Sequence, residues 1–174
     1  MKIVFSGPES TGKTTTSKFV AEQLYLPLVE EYAREHIEAL TEAYTYEDVL
    51  YIARKQIELE LAAKSTSEII VCDTDLITIK IWLQYYSWKI PDWIDAHLQS
   101  FPASLYLLMY PNIDWVKDEQ RQNEHDRLSL FEQHKKEIIR LGIPFEIVDE
   151  VLGKRNDRSL EIVLNEAGSF LPTK

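Results

Sequence analysis

A glycine-spaced loop between an apolar run and a helical run opens this chain, in the stretch "KIVFSGPESTGKTTTSKFV". Gly7, Gly12, Lys13 and Thr14 complete the pattern G-x-x-x-x-G-K-T, whose residue types suit a phosphate-binding loop. Glycine lets the backbone turn tightly and approach a ligand, so that successive N–H groups face inward as an anion nest. The helix that follows adds its unpaired N–H groups and the positive end of its dipole. In this chemistry Lys13 reaches the β- and γ-phosphates, and the Thr14 hydroxyl ligates Mg2+. The pattern also demands a strand before it and a helix after it, and "KIVF" and "TTTSKFVAEQL" supply both. Gly7, Pro8, Glu9, Ser10, Thr11, Gly12, Lys13, Thr14 and Thr15 are therefore expected to cradle the phosphates of a nucleoside triphosphate. No guanine-reading N-K-x-D motif is present, which favours ATP.

Composition narrows the classes. The chain has 174 residues with 45% hydrophobic and 28% charged content, enough to bury one core and too apolar for disorder. One folded unit over residues 1–174 is expected, with a lid at about residues 111–128. Acidic residues outnumber basic ones 29 to 19, a net charge of −10 that disfavours nucleic acid or an anionic membrane as partner. No apolar run approaches the ~20 residues of a membrane span, and no signal segment opens the chain. A single cysteine, Cys72, excludes an internal disulfide framework and fits a reducing cytosol, so a cytoplasmic location is expected. Nothing in the sequence specifies an oligomeric state.

Strand-like and helix-like stretches alternate. "LPLV" predicts a short strand over Leu26 to Val29, and a helix then runs through Leu40. "TYEDVLYIARKQIELELAAK" predicts a long helix opened by a Thr45-x-x-Asp48 capping box. "EIIVCDTD" is a continuous apolar run ending in acids, as a strand buried on both faces should be. A helix through Tyr86, a short one opened by Pro91, a strand in "ASLYLLMY", a helix stopped by Gly142 and a strand in "PFEIVD" follow, with Asn156 expected to cap a last helix. This order predicts right-handed βαβ units in a three-layer α/β/α sandwich around a five-stranded parallel sheet. Ligands of such sheets bind beyond the carboxyl ends of the strands. Those ends are Gly7, Glu30 and Glu31, Asp73 and Asp75, Tyr110 and Asn112, and Asp149.

Asp73, ending an apolar strand beside the glycine loop, suits a Mg2+ carboxylate, with Thr14 as the other protein ligand. Asp75 suits either the cap of the following helix or a substrate contact. Glu31 suits acceptance or orientation of a hydroxyl proton, against the alternative of a solvated glutamate early in a helix. Arg34 and Glu35 share its helix face. After the fourth strand, Arg121 and Arg127 suit a lid that neutralises a moving phosphoryl group and excludes water, against the alternative of a charged helical hairpin. Aromatic residues cluster at Trp82, Tyr85, Tyr86, Trp88 and Trp93 as core or as a stacking surface. His36, His97, His125 and His134 have no metal-ligand spacing and read as structural or exposed.

Together "GPESTGKTT", "EEYARE", "CDTDLIT", the "IDWVKDEQR" lid and "GIPFEIVD" resemble the ribosylnicotinamide kinase domain of NadR-like proteins, within the P-loop nucleoside kinases. The resemblance extends over nearly the whole chain. It implies a nucleoside-kinase-like fold with a helical lid and ATP-dependent phosphorylation of the 5′-hydroxyl of nicotinamide riboside, giving nicotinamide mononucleotide in NAD salvage. It implies catalytic roles for Lys13, Asp73, Glu31, Arg121 and Arg127, substrate contacts at Glu31, Tyr32, Arg34 and Asp75, and Mg2+ at Thr14 and Asp73. The lid departs from the family's Asp-Gly step, since Glu119 follows Asp118. The length leaves no room for the DNA-binding and adenylyltransferase domains of bifunctional members, so the mononucleotide and not the dinucleotide is the expected product. Another nucleoside acceptor, or a nucleotide-dependent switch, lipid-binding module or ATPase of the same fold, are the alternatives.

Overall fold

A computed structural model describes residues 1–115, 124–151 and 153–168. Five strands alternate with helices: β1 Lys2–Ser6, α1 Lys13–Leu24, β2 Leu28–Val29, α2 Tyr32–Ala39, α3 Tyr46–Thr66, β3 Ile70–Asp73 and α4 Leu76–Tyr85. There follow α5 Asp92–Ser100, β4 Leu105–Met109, α6 Arg127–Leu141, β5 Phe145–Val148 and α7 Lys154–Ala167. The strands form one parallel sheet in the order β2-β3-β1-β4-β5. The expected class, a parallel α/β sandwich, is therefore the observed one.

The sheet is covered on both faces, which is why its central strands read as unbroken apolar runs. Ile3, Phe5, Val71, Leu107 and Met109 pack under Val20 of α1 and Val163 of α7. Val4, Cys72, Tyr106 and Leu108 face the helices on the other side, through Val49 and Ile52 of α3, Ile77 of α4, Leu98 of α5 and Phe131 of α6. Cys72 is a buried free thiol that burial pushes well above its ordinary pKa, so it serves packing. β1 sits where the strand order reverses, with β3 and β4 on either side, and this switch point opens the crevice at its carboxyl end.

Several element boundaries differ from the sequence expectation. β2 holds two residues rather than four, because only Leu28 and Val29 pair in register, opposite Val71 and Cys72 of β3. α7 starts at Lys154 after Gly153 with φ +94°, so the turn is made by glycine and Asn156 lies within the first turn rather than at the cap. The Thr45–Asp48 capping box is formed as expected: the Thr45 side chain accepts from the Asp48 N–H and the Asp48 carboxylate accepts from the Thr45 N–H. Among the described residues no helix is long and apolar enough to cross a membrane.

Charged groups are also paired in the interior, as Lys80 with Glu137 at 2.9 Å and Lys2 with Glu60. Lys2 Nζ donates to Glu60 Oε2 at 3.0 Å, both side chains are almost fully buried, and the ammonium sits 4.7 Å from the centre of the Phe101 ring. Burial disfavours the Lys2 charge, but Glu60 and Asp75 outweigh it and hold the pKa above its usual value. Truncating one partner leaves the other charge uncompensated. Glu60→Ala is expected to destabilise by about 3–5 kcal/mol, whereas Lys2→Met combined with Glu60→Leu recovers most of that loss. Urea-denaturation midpoints measure both, and a single variant no weaker than the double would contradict the pairing argument.

Candidate nucleotide and acceptor site

The loop between β1 and α1 folds as a ring. Gly7 has φ +132°, and a Cβ there would stand 2.8 Å from the Met109 carbonyl oxygen, so only glycine lets β1 leave the sheet against β4. Ser10 at φ +55° and Gly12 at φ +80° reverse the backbone twice more. α1 starts at Lys13, which leaves the first-turn N–H groups without intrahelical acceptors. Lys13 Nζ donates to the Gly7 and Pro8 carbonyls at 2.9 and 2.8 Å, and the Thr11 hydroxyl donates to Pro8 O at 2.9 Å. Thr14 and Thr15 are exposed at the mouth. The result is a cradle of amides with a positive dipole behind it, suited to a polyphosphate.

At the end of β3, Asp73 is 1% exposed, and its Oδ1 has no hydrogen-bond partner. Burial raises its pKa, opposed by the Lys13 charge and by a hydrogen bond to the Thr14 side chain. An orphaned carboxylate oxygen beside a hydroxyl at a phosphate cradle fits the chemistry of Mg2+, which takes one or two protein oxygens and leaves the rest of its octahedron to phosphates and water. Among the described residues no group of three or more His, Cys, Asp or Glu could hold a metal without such help.

Glu31 ends the loop after β2 as the N-cap residue of α2, but its side chain makes no capping bond. The half-buried carboxylate has a pKa raised to about 6, first by burial and then by Asp73 and Glu9, while Lys13 and Arg34 pull it down. These five residues therefore share one electrostatic neighbourhood. A groove of about 630 Å3 lies beside the Glu31 segment between β2, α2 and α3, lined by Glu30, Glu31, Arg34 and Glu38 with Leu28, Leu59 and Ala63, and none of its lining residues belongs to the phosphate loop. The Tyr32 ring lies tilted against His36 and Tyr51, at centroid distances of 6.0 and 6.2 Å.

α4 and the loop before α3 carry an aromatic cluster. The Tyr44 hydroxyl donates to the Tyr86 hydroxyl at 2.7 Å and accepts from Trp82 Nε1 at 3.3 Å, and the Tyr44 and Trp82 rings meet edge to face at 4.9 Å. Tyr86 stacks on Trp88 at 4.9 Å. The Glu9 charge helps to raise the pKa of Tyr44, of Tyr85 and of Glu31 alike, after burial in each case, so this phosphate-loop glutamate is within electrostatic reach of all three. Glu9 thus acts on both a carboxylate and an aromatic cluster, groups whose chemistry suits a cationic ring.

Two expectations for single residues change. Asp75 is 1% exposed and fully engaged by the protein: Oδ1 accepts from the Ile77 N–H at 3.0 Å as the cap of α4, and Oδ2 accepts from the Tyr106 hydroxyl at 2.5 Å. A carboxylate buried in this way serves the cap, and the substrate contact is withdrawn. Arg127 reaches the phosphate loop from outside: one guanidinium nitrogen donates to Ser10 O at 2.7 Å and the other to Ile113 O at 3.0 Å, with the Trp115 ring 5.8 Å away. Arg121 lies outside the described residues. The histidines behave as structural groups where they are described. His134 is buried between Leu130 O and Thr78 with its pKa pushed down to about 3, and His36 pairs with Asp48 at 3.1 Å.

Sequence reasoning missed Arg155 and Tyr44. Arg155 is 1% exposed at the start of α7 and bonds Thr11 O, Tyr110 O, Asn112 and Glu150 O. A signal existed: Arg155, Ser159, Ile162 and Val163 fall on one helical stripe, so a charged residue occupied the apolar face of α7. Tyr44 carried no such pattern.

The fold is shared with nucleoside and nucleotide kinases. The structure of a NadR protein in complex with NR superposes at TM-score 0.78 and 21% identity, covering 99% of this chain and 53% of that one. A NadR protein in complex with NAD and AMP-PNP gives 0.70 and 22%, over 99% and 50%. Deoxyadenosine kinase from M. mycoides gives 0.63 and 18%, over 97% and 100%. The chain thus spans about half the length of the NadR chains, and the likeness is one of fold. No curated protein matches it. Residues 2–158 match the model of an AAA domain, and the chain belongs to that family of phosphate-loop proteins.

Proposed function

We propose that this chain is an ATP-dependent kinase that phosphorylates the 5′-hydroxyl of nicotinamide riboside and yields nicotinamide mononucleotide. The observation that carries the proposal is that the phosphate loop, through Lys13 and Glu9, acts on the Glu31 carboxylate, while Glu9 also acts on Tyr44 of the Tyr44–Tyr86–Trp82 cluster. A pyridinium ring of fixed positive charge is attracted by carboxylates and ring faces, the latter by ~0.5–2 kcal/mol. Acidic residues disfavour an acceptor that already carries a phosphate. The NadR likeness, whose structure holds NR, supports the same acceptor.

The backbone amides from Pro8 to Thr15 and the Lys13 ammonium would bind the phosphates of ATP and orient the γ-phosphoryl group. Thr14 and Asp73 would hold Mg2+, which when bound neutralises charge on the β- and γ-phosphates. Glu31 sits where the acceptor hydroxyl would be oriented, and with a pKa of about 6 it is ionised at neutral pH and able to take the proton. The transfer is loose and in-line, so positioning outweighs basicity. Tyr32 and Arg34 would border the acceptor, and Arg121 would neutralise the transferred phosphoryl group, while Arg127 is engaged with Ser10 O and Ile113 O.

Three outcomes test this reading. Lys13→Ala is expected to keep the fold and to lower ADP release stimulated by nicotinamide riboside by about 10²–10³-fold, the scale of a lost transition-state donor. Normal turnover in that variant refutes the assignment. In the wild type, kcat/KM for the acceptor should fall as pH drops through about 6, where Glu31 takes up its proton. Glu31→Gln should be slow and should lack that acid limb, and an unchanged limb contradicts the role. The raised pKa also means that the folded state binds more protons than the unfolded one between roughly pH 4.5 and 6, so Glu31 costs stability as pH rises through that window. Glu31→Gln is accordingly expected to melt higher than the wild type at pH 7.5 and not at pH 4, by differential scanning fluorimetry.

A further inference from the structure

Two consecutive carbonyls of the phosphate loop are held from outside by arginines that come from distant parts of the chain. Arg127, at the first position of α6, donates to Ser10 O at 2.7 Å. Arg155, at the second position of α7, donates through Nη1 to Thr11 O. Its remaining donors serve Tyr110 O at 3.1 Å and the Asn112 side-chain oxygen through Nη2, and Glu150 O at 2.7 Å through Nε. One fork therefore joins the loops after β1, β4 and β5. A buried guanidinium is costly to desolvate, and burial does lower the Arg155 pKa against the pull of Glu150 and Asp149. That cost is offset here by bonds to backbone oxygens, three of the four contacts.

Every peptide bond here is trans, so each carbonyl points opposite to the N–H of the next residue. Holding Ser10 O outward turns the Thr11 N–H the other way, and holding Thr11 O outward does the same for the Gly12 N–H. Ser10 at φ +55° is a conformation that a residue with a Cβ adopts at a cost, and the Arg127 bond is placed to retain it. We propose that Arg155 and Arg127 are positioning residues that set the peptide planes 10–11 and 11–12 of the loop, so that their N–H groups are presented to the β- and γ-phosphates before the nucleotide arrives. This inference rests on the nucleotide-binding reading of the loop and adds to it a device for preorganisation.

A fork that merely ties three loops together would lower stability without favouring one nucleotide over another. A fork that orients amides would act on the terminal phosphates. Isothermal calorimetry with Mg-AMP-PNP and with AMP separates the two, applied to the wild type, to Arg155→Lys, which keeps the charge and loses the fork, and to Arg127→Gln at a half-buried position. Each variant is expected to lose about tenfold to a hundredfold in AMP-PNP affinity, the scale of a small misplacement at a reacting centre. AMP affinity and the acceptor KM should change little. Equal weakening of both nucleotides, or unchanged AMP-PNP binding in folded variants, overturns the inference. Absence of AMP-PNP binding in the wild type overturns instead the reading beneath it.

Discussion

The close approach of two backbones governs the functional end of this molecule. Gly7 leaves β1 with its Cα pressed toward Met109 of β4, where any side chain would meet a carbonyl at 2.8 Å. Because the strand order reverses at β1, the loop that follows rises between the ends of β3 and β4 rather than over a sheet edge. Asp73 arrives on one side of it, and Tyr110 with Asn112 on the other. A cradle of amides is thereby fixed to the most deeply buried strands, and every proposed role is a distance measured from it.

The electrostatics of the cleft are in deliberate conflict. Burial pushes the pKa values of Asp73 and Glu31 up, each carboxylate opposes the other or a neighbour, and Lys13 and Arg34 pull both down. Such opposition is unfavourable for folding, since charged groups gather where water is scarce. It is what phosphoryl transfer to a hydroxyl requires: a cation to face phosphates, a carboxylate to face a hydroxyl, and a cavity that withholds water. Arg127 and Arg155, remote in sequence from the phosphate loop, carry part of the same burden, because they donate to its carbonyls.

How much of this was legible from residues alone depends on the range of the interaction. The phosphate loop was legible because its chemistry is local: glycines, lysine and threonine act within a few positions, and strand and helix flank them. The parallel sheet was legible through the apolar runs of β1, β3 and β4, and the cap of α3 through Thr45 and Asp48. Asp75 was readable only as two alternatives, because the decision lay with Tyr106, which the fold brings from another strand. The ends of β2 and the start of α7 shifted because an edge strand is bounded by its partner and a helix start by the turn at Gly153. Tyr44 escaped notice because its place in the aromatic cluster is made wholly by tertiary packing against Trp82 and Tyr86.

The acceptor is the central claim, and a panel of nucleosides tests it most directly. ADP release by the wild-type chain should be measured with Mg-ATP and nicotinamide riboside, thymidine, uridine or adenosine in turn. The acidic, aromatic-lined site predicts stimulation by nicotinamide riboside well above that by any neutral nucleoside, with the mononucleotide as product. Equal or greater stimulation by a neutral nucleoside, or slow ADP release that no acceptor accelerates, would contradict the account.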